Sequence, residues 1–148
     1  MAKYKNAPQL IEGMKKRLTI DAIGNAKKAV TEGTLLVEKT AKSSIQKGGT
    51  GRIYEKYNPR RTHQASSPRN PPATDTGFLV SNITSKVKVN ADGSVTGQII
   101  SAAPYSAALE FGTKDMLKNG GARPFMQPAL ESNKANIRRI FRKHGVVS

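Results

Sequence analysis

Ile83-Thr84-Ser85-Lys86-Val87-Lys88-Val89-Asn90-Ala91-Asp92-Gly93-Ser94-Val95-Thr96-Gly97-Gln98-Ile99-Ile100-Ser101 is the stretch whose reading decides the fold. Ile83, Ser85, Val87 and Val89 alternate with Thr84, Lys86 and Lys88, the period of a strand with one charged face. Asn90-Ala91-Asp92-Gly93 has the chemistry of a turn, and Ser94 to Ser101 returns with Val95, Gly97 and Ile99 set against Thr96, Gln98 and Ile100. An antiparallel hairpin is expected here, between helical patterns on both sides. That combination is α+β: a long N-terminal helix, a small antiparallel sheet with hairpins, a C-terminal helix and an extended Pro-rich arm.

Toward the N-terminus, Ile20, Ile23, Val30, Val37, Ala41 and Ile45 recur at helical spacing, with Ala22, Ala26 and Ala29 as good helix formers. One long amphipathic helix is expected from Thr19 to Ile45, weakened but not broken by Gly24 and Gly33. Leu10, Ile11, Met14 and Leu18 mark a separate predecessor from Ala7 to Leu18, with Pro8 tolerated in its first turn. Gly48, Gly49 and Gly51 end the long helix, because backbone entropy opposes helix at so many glycines. Residues 46–75 then read as an arm. Arg52 to Tyr57 is rich in β-formers, Asn58-Pro59 is a turn, Arg60 to Ala65 pairs back, and Ser66 to Asp75 runs extended and exposed.

Toward the C-terminus, Asp75 or Thr76 is the expected cap of a short apolar turn through Ser81. Pro104 to Phe111 reads as a short helix with Tyr105, Ala108 and Leu109 inward and Gly112 as its stop. After Asn119-Gly120-Gly121, a last helix opens at Pro124 or Pro128 and runs to about His144. Its apolar stripe is Met126, Leu130, Asn133, Ile137, Ile140 and Phe141, and its opposite face carries Lys134, Arg138, Arg139, Arg142 and Lys143.

The 148 residues fit a single domain spanning 1–148. Only 36% of residues are hydrophobic and 5% aromatic, so a thin core and stability borrowed from neighbouring subunits are expected. There are no cysteines, which excludes disulfides and thiolate metal sites and fits a reducing cytoplasm. The opening Met1 to Pro8 is basic without a following apolar run, and no stretch has the length of a membrane span, so a soluble, unsecreted chain is expected. The net charge is +15. Residues 71–113 hold two basic against three acidic side chains, whereas residues 114–148 hold eight against two. Such an excess favours a polyanionic partner, either nucleic acid or an acidic protein surface.

Three clusters together resemble one family: Thr62-His63-Gln64-Ala65-Ser66-Ser67-Pro68 with Pro71-Pro72-Ala73; Asp75-Thr76-Gly77-Phe78-Leu79-Val80-Ser81-Asn82-Ile83; and Pro104-Tyr105-Ser106-Ala107-Ala108-Leu109-Glu110-Phe111-Gly112-Thr113 followed by Arg123-Pro124-Phe125-Met126-Gln127-Pro128-Ala129-Leu130. Their order and spacing are similar to those of the neck or tail-completion proteins of siphophages, minor virion proteins. The match spans roughly residues 51–130. Arg69-Asn70 departs from the glycine and acidic residue expected after Ser67-Pro68. The resemblance implies a structural subunit at the phage head–tail interface, made in the host bacterial cytoplasm and carried in the virion. It further implies a homo-oligomeric ring, of six copies, between head-completion proteins and the tail-terminator or tail-tube proteins. A tail-terminator ring subunit of the same assembly is the alternative, and a basic DNA-binding protein is a second one.

On that reading the expected partner interface comprises Arg52, Tyr54, Tyr57, Arg60, Arg61, His63, Glu110 and Arg123, with Glu110 pairing Arg123. Arg138, Arg139, Arg142 and Lys143 are the candidates to face packaged DNA. Tyr105, Leu109 and Phe111 with Phe125, Met126 and Leu130 are expected to close over the hairpin. An enzyme is not expected. His63 and His144 lack cysteine or carboxylate clusters near them in sequence, which argues against a metal. His63, Asp75 and Ser66 lie in a Pro-rich arm that makes a poor scaffold for a triad. Gly48-Gly49-Thr50-Gly51 lacks the Gly-Lys-Ser/Thr ending of a phosphate loop. No cofactor is implied.

Overall fold

The computed structural model describes residues 7–148, and the basic opening from Met1 to Asn6 lies outside the described residues. Helix α1 spans Ala7–Gln46 without a break, about 60 Å at the helical rise. The expected boundary near Leu18 does not exist. Its cause as a misreading is a change of phase: Leu10, Ile11, Met14 and Leu18 lie roughly 150° around the axis from the line through Ile23, Val30, Val37, Ala41 and Ile45, taking 3.6 residues per turn. Only the second line faces the rest of the protein, through the buried Ala29, Gly33, Thr34, Val37, Ala41 and Ile45.

Strands β1 (Ile53–Tyr57) and β2 (Arg60–Gln64) form the first hairpin, and β3 (Ile83–Val89) and β4 (Val95–Ser101) the second. Each is a separate two-stranded antiparallel sheet. In the second, Ile83 pairs with Ser101, Ser85 with Ile99, Val87 with Gly97 and Val89 with Val95. This is the apolar face anticipated from the alternation, and it lies on α1. Gly97 makes the approach close: a Cβ there would overlap Thr34 Oγ1 and come within 2.8 Å of Val30 Cγ1.

Short helices α2 (Phe78–Ser81), α3 (Ser106–Phe111) and α4 (Lys114–Lys118) lead to α5, Met126–Lys143. The first turn of α2 is entered through Gly77 in the left-handed region at φ 76°, and the Phe78 N–H donates to Thr76 Oγ1 at 3.4 Å, so of the two expected caps Thr76 meets the helix start and Asp75 does not. The core has two adjoining parts. Ile45, Leu79, Ile83, Ala103 and Phe125 form one, with Val80, Ile99, Leu109 and Met126 around it. Val37, Ala41 and Ala129 form the other, joined by Ile99, Met126 and Ile137. The small residues at this second seam let α5 lie close on α1. Asn133 is buried there, its Nδ2 donating to Thr40 Oγ1 at 2.9 Å and to the Ala129 carbonyl at 2.8 Å.

Two apolar assignments change. Ala129 is buried on α5 together with Asn133, and Leu130 is exposed. Phe111 and Tyr105 are also exposed, Phe111 at 74%, so only Leu109, Phe125 and Met126 of the expected closing set meet the core.

Replacing Gly97 by valine is expected to push the hairpin off α1 and cost about 1–3 kcal/mol of stability. Urea denaturation of the two proteins side by side measures this, and equal midpoints would show that the contact is not close.

Candidate interaction surface

The segments of sequence with the most distinctive chemistry meet at one junction, where α3, α5 and residues 65–77 come together. Glu110, at the end of α3, reaches the start of α5. The backbone N–H groups of Phe125 and Met126 donate to its Oε2 at 2.9 and 3.0 Å, and that of Gln127 donates to Oε1 at 2.8 Å. The next residue, Pro128, has no N–H. A helix leaves its first four N–H groups without partners, and here three are taken by one carboxylate while the fourth does not exist. The negative charge also lies at the positive end of the helix dipole. The expected Glu110–Arg123 ion pair is absent among the described residues. Arg123 instead donates from its backbone N–H to the Leu109 carbonyl at 2.8 Å and from Nε to the Ser66 carbonyl at 3.2 Å. Both residues stabilise the junction, through different partners from those anticipated.

Residues 65–75 have no regular structure, yet they are tied to the body. The Arg69 N–H donates to the Ala122 carbonyl at 2.8 Å, the Thr74 N–H to the Ile45 carbonyl at 3.3 Å, and Pro72 is buried. Asp75 anchors the hairpin that precedes it. Its carboxylate pairs with Lys56, with Arg61 Nη2 at 2.7 Å and with His63 Nδ1 at 3.8 Å. The register explains the grouping: Lys56 lies opposite Arg61, and alternation places His63 on the same face as Arg61. The hydrogen bond from Lys56, then the positive charges of Arg61, Lys56 and His63, holds the Asp75 carboxyl below the usual carboxylate range. In the sequence Asp75 is legible as a cap or as a poorly scaffolded companion of His63 and Ser66; its three partners lie 12 to 19 positions away in the chain, so no local signal reports the anchor.

The remaining hairpin residues point away. Arg52 lies over the Tyr54 ring, 5.5 Å from its centroid, a cation–π contact. Tyr57 is 76% exposed at the tip beside the exposed Arg60. The expected interface set therefore divides. Arg52, Tyr54, Tyr57 and Arg60 are available to a partner, whereas Arg61, His63, Glu110 and Arg123 hold the fold.

His63 and Asp75 do come together, and the arm is better anchored than its proline content suggests. The carboxylate is nevertheless shared among Lys56, Arg61 and the His63 ring, and Ser66 contributes its carbonyl to Arg123. Among the described residues no group of three or more His, Asp or Glu side chains is arranged to hold a metal ion. No helix among them is long and apolar enough to cross a membrane.

The basic face of α5 is solvent-facing. Arg138, Arg139 and Arg142 are exposed, and none is in an ion pair among the described residues. Lys143 differs: its ammonium lies 3.1 Å from Glu32 Oε1, and His144 Nε2 is 2.8 Å from Glu32 Oε2. The hydrogen bonds from His144 and then Lys143 lower the Glu32 pKa. This pair fastens the end of α5 to the middle of α1.

Glu110→Ala is expected to lower stability by about 2–3 kcal/mol, since it strips three donors of a charge-assisted acceptor; Glu110→Gln restores part of it, both read by chemical denaturation. Asp75→Asn is expected to speed amide exchange in β1 and β2 while α1 and α5 stay protected, as hydrogen–deuterium exchange measures. Because the Asp75 pKa is depressed, its contribution is complete above the ordinary carboxylate range and is lost as pH falls through the folded-state value. The wild-type hairpin should loosen on acidification in the same way, and protection unchanged with pH would place the anchor elsewhere.

Comparison of the chain with models of known families, with curated proteins and with solved structures finds no match.

Proposed function

We propose that this chain is a structural virion protein at the phage head–tail interface, a neck or tail-completion subunit joining the tail to the DNA-filled capsid. In this reading it acts as one of a ring of identical copies, six by the family resemblance, between head-completion proteins and the tail-terminator or tail-tube proteins. No catalysis and no cofactor enter it.

The observation that supports the reading best is the use made of the resembling segments. They converge on one junction, where Glu110 caps α5, Asp75 anchors the hairpin and Arg123 joins α3 to residue 66. The polar groups that would have to act in a chemical mechanism are engaged in holding shape. What is left outward is recognition chemistry: the aromatic and basic tip at Arg52, Tyr54, Tyr57 and Arg60, and apolar side chains that a small core does not cover.

A DNA-binding protein is the second reading, favoured by the unpaired arginines on the outer face of α5. It lacks aromatic residues on that face for base stacking. Phosphate contacts alone would give sequence-independent affinity that falls steeply with salt.

Gold-labelled antibody on purified virions separates the two. Label at the head–tail junction is the expected result. Unlabelled virions, with the antigen recovered on DNA from lysed cells, would overturn the joining role. Replacing Arg138, Arg139 and Arg142 by serine should leave the label in place, while removing most duplex-DNA affinity at low salt.

A further inference from the structure

Arg69 is the one residue other than glycine with a positive φ among the described residues, at 65°. The Asn70 N–H donates to the Ser67 carbonyl at 3.2 Å, so residues 67–70 make a β-turn with Pro68 second and Arg69 third. A second-place proline and a left-handed third residue mark a type II turn, whose third place favours glycine because a Cβ there crowds the backbone. The glycine expected after Ser67-Pro68 would take this conformation without strain. Arginine takes it at a cost, which a surface turn by itself does not require.

The turn is held firmly. Asn70 Nδ2 donates to Ser67 Oγ at 2.9 Å and to the Pro68 carbonyl at 3.3 Å, and the bond from the Arg69 N–H to the Ala122 carbonyl ties the turn to the loop after α4. That loop is glycine at 120 and 121 to admit it. A Cβ on Gly120 would come within 2.8 Å of Pro68 Cγ, and one on Gly121 would stand 3.6 Å from Arg69 Cγ. Arg69 thus crosses the glycine pair with its stem supported, and Lys118 ends α4 beyond it. The two flank a hollow of about 510 Å³ whose apolar floor is Leu117, Ala122 and Pro124. Leu117 is 61% exposed. Neither cation is in an ion pair among the described residues, and no acidic side chain lines the hollow.

We propose that this hollow is a docking site for an acidic segment of a neighbouring protein. Arg69 takes a carboxylate of that segment in its fork, Lys118 adds charge, and an apolar side chain next to the carboxylate covers Leu117 and Pro124. Charge names the occupant: two unpaired cations with no anion of their own are complementary to a carboxylate, which the planar guanidinium matches with two parallel hydrogen bonds. The apolar floor favours a protein segment over DNA, whose backbone would lay phosphates across Leu117 without covering it. A second copy is a poor occupant, since each copy carries +15. The proposal deepens the joining role above and rests on it for where the acidic protein is found, while the chemistry rests on the hollow alone.

Arg69→Gly separates fold from recognition. Relief of the left-handed arginine is expected to raise the urea midpoint, while binding is lost. The probe is a short soluble peptide with leucine next to glutamate, titrated into isotope-labelled protein and followed at the amide signals of Gly120, Gly121 and Ala122 by nuclear magnetic resonance. Saturable shifts are expected with the wild type. Affinity should fall about tenfold or more with Arg69→Gly, or when glutamine replaces glutamate in the peptide. Arg69→Lys keeps the charge without the fork and should fall between.

Absent shifts, shifts spread evenly over the basic residues of the hairpin and α5, or peptide affinity unchanged in Arg69→Gly would each overturn the proposal. A lower urea midpoint for Arg69→Gly would do so too, because the arginine would then serve the fold. Stronger shifts of the same signals with a DNA oligonucleotide would replace the carboxylate by phosphate. The assay uses isolated protein, so its failure leaves the antibody result on virions untouched, and absence of label at the head–tail junction leaves the chemistry of the hollow standing.

Discussion

Glu110 takes the first N–H groups of α5 into a single carboxylate, and the position of that helix follows from it. Starting α5 at Met126 puts Phe125 into the core with Ile45, Leu79 and Ile83. One turn on it sets Ala129 against Val37 and Ala41, and another turn sets Asn133 on Thr40. A shift of one residue would rotate each by about 100° and put Asn133 into apolar surroundings without a partner. The cap matters the more because α5 is basic and its contact with α1 is made mainly by small side chains, which bury little area each.

A long helix that packs along only part of its length explains how so few apolar residues suffice. The half of α1 from Ile23 onward is the floor for the β3–β4 hairpin and for α5, and it uses the apolar residues of its line to do so. Among the described residues before it, none is buried. A monomer built this way leaves apolar surface in water at both ends, which is a cost only if the molecule works alone. The same logic applies to the β1–β2 hairpin. It has almost no core of its own and is held by Asp75 beneath it, so its tip can be presented without unfolding the rest.

Electrostatics divides the basic residues into two groups. Lys56, Arg61, Lys143 and His144 are matched to carboxylates inside the molecule. Arg52, Arg60, Arg138, Arg139 and Arg142 are not among the paired ones and point outward. The second group contributes to the net charge of +15, and it lies on two separate elements, the hairpin tip and the outer face of α5. A partner reading both would have to be extended, as a neighbouring ring or a channel of packaged DNA is.

The sequence by itself determined the α+β class, the two hairpins, the residues that share the apolar face of the second and the basic face of α5. These depend on local periodicity: alternation of two at Ile83 to Ser101, a period near 3.6 at Met126 to Lys143, and turn residues at Asn90 to Gly93. Tertiary structure alone decided that Leu18 and Thr19 sit in one unbroken helix, because a phase change in an apolar pattern looks the same whether the chain bends or a second partner is served. It alone decided what Glu110, Arg123 and Asp75 do. A charged side chain reveals its sign in the sequence, but its partner depends on which backbone groups and cations folding brings within about 3 Å, and those lie 12 to 57 positions away.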